Sequence, residues 1–165
     1  MLYVRSVSGT VTLREISSEN GAAVRELRVS PAQEVFVASV AESLDEAAAS
    51  PEAHPWYRAI YADDQPVGFV MLGFNMPPGH PDYPWRYFLW RLLIDARHQR
   101  RGYGRAAMAL VIDIVRSSPG GTVLVTSVQP GDGGPAPFYR SLGFEATGEW
   151  FDGQEVYRLE FRPVT

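Results

Sequence analysis

The segment HQRRGYGRAAM, residues 98–108, lies between a run of residues typical of a β-strand and a run typical of a helix. The strand-like run is YFLWRLLID (87–95), and the helix-like run is AAMALVIDIVR (106–116). Gly102 and Gly104 stand where the helix should begin. The start of a helix offers unpaired backbone N–H groups and the positive end of the helix dipole, and glycine lets an anion approach them closely. The segment therefore predicts a phosphate-binding turn between a strand and a helix.

The turn by itself leaves the identity of the phosphate open. GYGRAA (102–107) fits the dinucleotide fingerprint G-x-G-x-x-G/A, but Thr122, at the start of a strand, stands where an acidic residue is expected about 20 positions later. A Walker loop is excluded, because no Gly-Lys-Ser/Thr sequence follows. A turn that needs glycine only for its own backbone conformation is the remaining alternative.

Length and composition narrow the class of protein further. The chain has 165 residues, enough for one domain that buries about two-thirds of its unfolded surface. A formal net charge of -4 argues against an extended nucleic-acid surface, and the lack of cysteine excludes disulfides and thiol nucleophiles. The N-terminus lacks the apolar core of a signal peptide, and no apolar run reaches the ~20 residues of a membrane span. We expect a cytoplasmic protein without membrane or nucleic-acid partners.

The histidines show no metal-binding pattern. His54, His80 and His98 lie in unrelated segments without the spacing of metal ligands. We expect them in loops or at the surface, and we expect no metal cofactor.

Alternating and continuous apolar runs predict a sheet. Strands are expected at 11–17, in a hairpin over 56–74 that turns at 63–66, at 86–95, at 122–128, and in a final hairpin over 145–161 that turns at Asp152–Gly153. Segments rich in proline and glycine predict loops at 75–84 and 129–137.

Helix-forming patterns lie before, between and after these strands. The first helix is expected at 19–29 with Ser18 as N-cap, and the second at 31–50, starting from Pro31, with an apolar stripe that begins at Val37. Two more are expected, one after the glycines as far as Pro119 and one in FYRSLGF (138–144). The helix at 31–50 carries Glu34, Glu42, Asp45 and Glu46. These carboxylates are either a solvated helix face or a lining that attracts a cationic substrate.

Two motifs together resemble a known superfamily. QRRGYG (99–104) fits Q/R-x-x-G-x-G/A, the pyrophosphate-binding signature of the GNAT acyltransferases, and FYRSLGFEATGE (138–149) is similar to their F-Y-x-x-x-G-F segment. The order of predicted elements extends the resemblance to nearly the whole chain, and the bacterial diamine and spermidine/spermine acetyltransferases are the most similar branch. The resemblance implies a single GNAT domain over 1–165. Its fold would be mixed α/β, with a central, mostly antiparallel sheet flanked by helices.

The resemblance also implies roles for particular residues. The amides around 99–104 would hold the pyrophosphate of acetyl-CoA, and the exposed backbone edge at 92–94 would pair with the pantetheine arm. A backbone N–H near Leu93 or Ile94 would polarise the thioester carbonyl. Tyr139 would be the general acid that protonates the departing thiolate. The expected coenzyme-binding residues are Leu92, Leu93, Ile94, Gln99, Arg100, Arg101, Gly102, Tyr103, Gly104 and Arg105.

The chain departs from the family pattern at two places. The central strand carries Trp90 and Arg91 where some polyamine acetyltransferases offer a glutamate, and Asp132 and Pro135 stand at the positions of a common N-x-x-A motif. The general base is therefore open. Candidates for a base or for binding of a cationic acceptor are Glu34, Asp63 and Asp64. Trp85 belongs to a group of aromatic residues that could form a cation-binding wall, although packing is an alternative for its tryptophans; the other members are Trp56, Tyr57, Tyr83 and Trp90.

Function is thus expected among three alternatives. The first is an acetyl-CoA-dependent N-acetyltransferase that acts on a small cationic amine, with a polyamine such as spermidine or spermine as one candidate. The others are a catalytically silent acyl-CoA-binding sensor and an acetyltransferase of a protein or peptide amine. Homodimers are frequent among such relatives, so a second copy of the chain is a further expected partner.

Overall fold

All the strands of the described residues lie in one sheet. The computed structural model describes residues 3–6 and 9–162. In chain order the strands are β1 Tyr3–Ser6, β2 Gly9–Arg14, β3 Pro55–Ala62, β4 Gln65–Phe74, β5 Tyr87–Ile94, β6 Val123–Val128, β7 Glu145–Phe151 and β8 Gln154–Glu160. They are arranged in the order β1-β2-β3-β4-β5-β6-β8-β7, and among these described strands only β5 and β6 pair in parallel. The expected mixed, mostly antiparallel sheet is confirmed, with β1 in addition to the predicted strands.

Helices cover both faces of this sheet. They are α1 Gly21–Arg25, α2 Val40–Ala49, α3 Tyr103–Arg116 and α4 Ala136–Ser141, and short 3-10 turns lie at Pro31–Gln33, Pro51–Ala53 and Ala96–His98. One core, between the sheet and α3, contains Leu110 and Val111 of the helix. A second core, on the opposite face, contains Val24 of α1 and Val40 of α2. No helix of the described residues is long and apolar enough to cross a membrane.

The two early helices are shorter than predicted. The helix expected at 19–29 begins at Gly21 after the N-cap Asn20, not Ser18, and ends at Arg25. The helix expected at 31–50 begins only at Val40, because the Ser39 hydroxyl accepts the backbone N–H of Glu42 at 3.1 Å and caps the helix there. Between the turn at Pro31–Gln33 and Ser39 the chain follows an irregular path.

The remaining boundaries follow the predicted turn chemistry. The hairpin β3–β4 turns at Asp63 and Asp64, and the hairpin β7–β8 turns at Asp152 and Gly153. The helix α3 ends at Arg116, shortly before the proline and glycines at 119–121. Gly121 is required there, since a Cβ atom would overlap the carbonyl oxygen of Val115. These hairpins confirm the predicted strand pairs, and they hold β5 and β6 at the centre of the sheet.

Candidate active site

A gap opens between the two parallel strands at the centre of the sheet. β5 and β6 pair only through Phe88 with Val125 and Leu89 with Thr126. Beyond this point β5 continues to Ile94 and β6 to Val128 with no further pairing between them. The facing edges of these strands line a cavity of about 800 Å³. The sheet therefore contains an open backbone edge beside the start of α3.

A β-bulge on β5 shapes the same gap. Leu89 pairs with Leu72 of β4 and Arg91 pairs with Met71, which leaves Trp90 as the extra residue. Trp90 packs against the core under α2, and Arg91 donates a hydrogen bond to Glu46 of α2 at 2.6 Å. The bulge thus directs two consecutive side chains to the α2 side of the sheet.

The glycine-rich turn forms the start of α3, as predicted. Gly102 is the N-cap of this 14-residue helix and has φ +83, in the left-handed region that favours glycine. A Cβ atom at Gly104 would lie 3.4 Å from the Phe138 ring and 3.7 Å from Ile94, whereas nothing lies within 4 Å of one at Gly102. Gly102, Tyr103 and Gly104 line the cavity, so the first turn of α3 lies at its edge.

The predicted coenzyme-binding residues gather around this turn. All of them except Arg101, which is exposed outside, line the cavity. The Tyr103 side chain is buried in the core, and Arg105 donates to the hydroxyl of Ser141 on α4 at 2.7 Å. The Gln99 amide donates to the carbonyl of Ile94 at 2.9 Å and to Gln33 at 2.8 Å. The Gln99 side chain is therefore bound to protein, and its turn offers the cavity mainly backbone.

Tyr139 lies at the point where β5 and β6 separate. Its side chain is buried, with 6% exposed, and its hydroxyl hydrogen-bonds with Thr126. Thr126 in turn donates to the carbonyl of Leu89 at 3.0 Å, and these two residues form the last pair between the strands. Burial raises the pKa of Tyr139 well above its usual value, and the hydrogen bond with Thr126 offsets only part of this. The phenol is thus protonated at neutral pH.

One part of the cavity lining, which we call the acidic wall, carries glutamates. Glu34 and Glu42 line the cavity, whereas Asp45 is exposed outside it. Glu46 pairs with Arg91, whose side chain is 20% exposed. Because this pair neutralises the guanidinium, Glu34 and Glu42 are the unpaired charges of this part of the lining. Both side chains are also exposed, so a solvated face and a lining that attracts a cation both agree with their positions.

Three residues expected near a cationic acceptor lie elsewhere. Asp63 and Asp64 occupy the β3–β4 turn, where Asp63 accepts the backbone N–H of Thr10 at 3.1 Å and Asp64 pairs with Arg14 at 3.2 Å. They do not line the cavity, because the turn lies beyond the end of β5.

Trp85 is the third residue expected near a cationic acceptor that lies elsewhere. Its ring stacks on Phe88 at 5.2 Å and meets the edge of Phe151 at 5.0 Å. It does not line the cavity. Trp56 stacks similarly on Phe74, and of the aromatic group proposed for cation binding only Trp90 lines the cavity.

Sequence reasoning missed several residues of the cavity wall. His98, expected in a loop or at the surface, is only 9% exposed. It lines the cavity, and Phe36 and Thr126 also line it. An alternating pattern in TVLVTSV would have placed Thr126 inward with Leu124 and Val128. No local pattern marks Phe36, because its position depends on contacts with a distant loop.

Asp95 fixes the chain immediately before the glycine-rich turn. Burial by itself would raise the pKa of Asp95, but hydrogen bonds from the Arg97 guanidinium and from the backbone N–H groups of Arg28 and Arg97 outweigh it and lower the pKa to about 2. The carboxylate thereby ties the end of β5 to the segment after α1. It shapes the site without lining it.

Fold and site together indicate the class anticipated from the motifs, an acyltransferase with a split central sheet. The acetyltransferase (GNAT) family matches residues 21–144, and the chain belongs to that family. It is accordingly an acetyltransferase. Among curated proteins, the spermine/spermidine N(1)-acetyltransferase of Bacillus subtilis (strain 168) is 25% identical over 150 residues, which cover 89% of this chain and 96% of that protein.

Solved structures agree on the fold. An acetyltransferase from Thermus thermophilus is similar with a TM-score of 0.69 and 18% identity, covering 95% of this chain and all of that one (100%). The PaiA N-acetyltransferase of Thermoplasma acidophilum, solved in complex with coenzyme A, has a TM-score of 0.63 at 13% identity and covers 92% and 99% of the two chains. At such identities the similarity shows the fold alone.

Proposed function

We propose that the protein transfers the acetyl group of acetyl-CoA to the primary amine of a small cationic acceptor, by direct attack in a ternary complex. The observation that carries this proposal is the gap between β5 and β6, which joins the amides of α3 to the acidic wall and has the Tyr139 hydroxyl at its narrow end. A polyamine is the acceptor class we favour. The acidic wall and the substrates named for the Bacillus subtilis relative both support it.

The coenzyme would lie across the turn and along β5. The N–H groups at the start of α3 would bind the pyrophosphate together with Arg100, whereas Arg101 lies outside the cavity. The pantetheine amides would pair with the open edge of β5, in place of the ladder that β6 stops providing after Thr126.

The direction of the backbone N–H groups refines the oxyanion donor. Asp95 N–H bonds to Val67 of β4, so by strand alternation the N–H of Leu93 also points to β4. The Ile94 carbonyl accepts from Gln99 on the other side, which places the N–H groups of Leu92 and Ile94 on the gap. Leu92 is nearer to the Tyr139 end, so we propose its N–H, rather than that of Leu93, as the donor to the thioester oxygen.

The reaction then needs three proton movements. The acceptor binds as an ammonium ion near Glu34 and Glu42 and must lose one proton, to a carboxylate or through water, before its nitrogen attacks the thioester carbon. When the C–S bond breaks, the sulfur takes its electron pair and Tyr139 donates a proton to it. The nitrogen, which gained a positive charge on attack, loses its second proton to give the amide, and this proton restores the Tyr139 phenol through water. Burial keeps that phenol protonated at neutral pH, so it is available as the donor.

Two measurements test the proposal. Calorimetry with acetyl-CoA should show binding at a single site, and a panel of polyamines, other small amines and peptide N-termini should be assayed for release of the coenzyme thiol. We expect turnover that is highest for polycationic amines. Turnover of peptides alone would overturn the acceptor class, and tight coenzyme binding without turnover of any amine would favour the acyl-CoA sensor.

A further inference from the structure

An irregular segment lies along the cavity. Residues 33–38, which we name the strap, connect the turn at Pro31–Gln33 to the cap of α2. Every residue of the strap lines the cavity. It carries Glu34 on the acceptor side, so its position determines where that carboxylate stands.

The first anchor of the strap is a reciprocal pair of amides. Gln33 Nε2 donates to Gln99 Oε1 at 3.0 Å, and Gln99 Nε2 donates to Gln33 Oε1 at 2.8 Å. Gln99 Nε2 also donates to the carbonyl of Ile94, at the end of β5. Both glutamine side chains are half-buried. The start of the strap is therefore bound directly to the turn that is proposed to hold the pyrophosphate.

The second anchor is the ring of Phe36. A Cβ atom at Gly134 would lie 2.9 Å from Phe36 Cε1, and one at Gly131 would lie 3.4 Å from it. The ring thus rests on the backbone of the glycine-rich loop that leads into α4 and Tyr139. The strap is held at one end by the coenzyme turn and further along by the loop of the general acid.

We infer that Gln33 and Gln99 are positioning residues that transmit coenzyme binding to the acceptor side. Filling of the turn at 99–104 orders Gln99, and the amide pair then holds the strap and Glu34 in place. The inference rests on the proposed coenzyme site. Removal of one amide leaves the other without its partner in a half-buried position, which loosens the strap while the amides of α3 remain unchanged.

Hydrogen–deuterium exchange with coenzyme A alone tests this without a known acceptor. In the unmodified protein we expect coenzyme A to slow exchange both at 99–106 and in the strap. Gln33→Ala should keep the protection at 99–106 and lose that of the strap. Gln65→Ala, at an exposed glutamine outside the cavity, is the matched control and should retain both.

Kinetics supply a second readout. In Gln33→Ala we expect the KM for the best amine of the panel to rise about fivefold or more, with the KM for acetyl-CoA changed by less than about twofold, since the lost hydrogen bonds hold the strap and not the amides of α3. If the alanine variant does not fold, Gln33→Met keeps the side-chain length without donor or acceptor and must give the same result.

The outcomes separate the inference from the proposed function. Without protection at 99–106 in the unmodified protein, the coenzyme site itself would be misplaced. If 99–106 is protected but the strap is not, or if the strap stays protected in Gln33→Ala, the coupling is refuted and the coenzyme site stands.

Discussion

One side of the cavity consists mainly of backbone groups, and the other consists mainly of side chains. The side proposed to hold the coenzyme, called the coenzyme side, comes from one continuous stretch, 92–105, and offers chiefly backbone N–H and C=O groups. The side proposed to hold the acceptor, called the acceptor side, combines side chains from the strap, from α2 and from the bulge at Trp90. Backbone geometry is encoded locally by glycines and strand patterns, whereas a wall of side chains requires distant segments to meet. The comparison explains why local sequence patterns bear more on the first side than on the second.

The largest effect should follow from blocking the backbone of the coenzyme side. We expect Gly102→Glu combined with Gly104→Glu to weaken acetyl-CoA binding by a factor of about 100 or more, or about 3 kcal/mol, in calorimetry. Two carboxylates would repel the phosphates at the helix start, and a side chain at Gly104 would press on Phe138.

A matched control is available at the far end of the sheet. Gly148→Glu combined with Gly153→Glu introduces the same two charges at glycines with positive φ, +84 and +75, and with nothing within 4 Å of a Cβ atom at either. This variant should leave acetyl-CoA binding intact. Equal loss in both variants would show that charge or backbone strain, not the turn at α3, causes the effect.

The second effect concerns Tyr139, where the two sides meet. Tyr139→Phe removes the proton donor but keeps the ring between Phe138 and Phe144. We expect kcat to fall about 100-fold, the usual scale of general acid catalysis, with acetyl-CoA affinity nearly unchanged. Steady-state kinetics and calorimetry on the same preparations check both quantities.

The pH dependence follows from the direction of the pKa shift. Because burial raises the pKa of Tyr139, its proton is retained through the range near ~10 where an ordinary tyrosine ionises. The rate should therefore show no alkaline decrease from this group in that range. A decrease near the ordinary value that disappears in Tyr139→Phe would contradict a buried donor.

Much of the fold, and the position of the glycine-rich turn at the start of α3, could be predicted from the sequence. Glycines, apolar strands and aspartate-containing turns act over a few residues, so the hairpins and the start of α3 appear where their patterns stand. The helical spacing of Val37 and Val40 predicts a helix that includes the strap, whereas the structure begins the helix at Val40. A single segment does not reveal the contacts that these residues make with distant parts of the chain. Asp63 and Asp64 illustrate the same limit, because the sequence of a turn predicts its shape but not whether its carboxylates line the cavity.

The third effect is on the free energy of unfolding and concerns Asp95, which connects the segment after α1 to the end of β5. Its pKa of about 2 in the folded chain lies below the ordinary ~3.9, so the carboxylate contributes stability above the ordinary pKa that is lost as pH falls toward 2. We expect Asp95→Asn to lower the free energy of unfolding by about 2 kcal/mol at pH 7 and by much less near pH 2. Urea unfolding at both pH values measures this, and an equal loss at the two would refute the ionic contribution.

The smallest effect, and the one that bears on the acceptor, concerns the acidic wall. Glu34→Gln and Glu42→Gln should each raise the KM for a polyamine about two- to fivefold, because exposed ion pairs contribute roughly 0.2–1 kcal/mol. The increase should shrink at high salt, and acetyl-CoA affinity should stay unchanged. Asp45→Asn removes the same charge from α2 outside the cavity and is the control. If it raises KM as much as the other two, the attraction is a long-range property of the acidic helix, and the wall does not bind the ammonium directly.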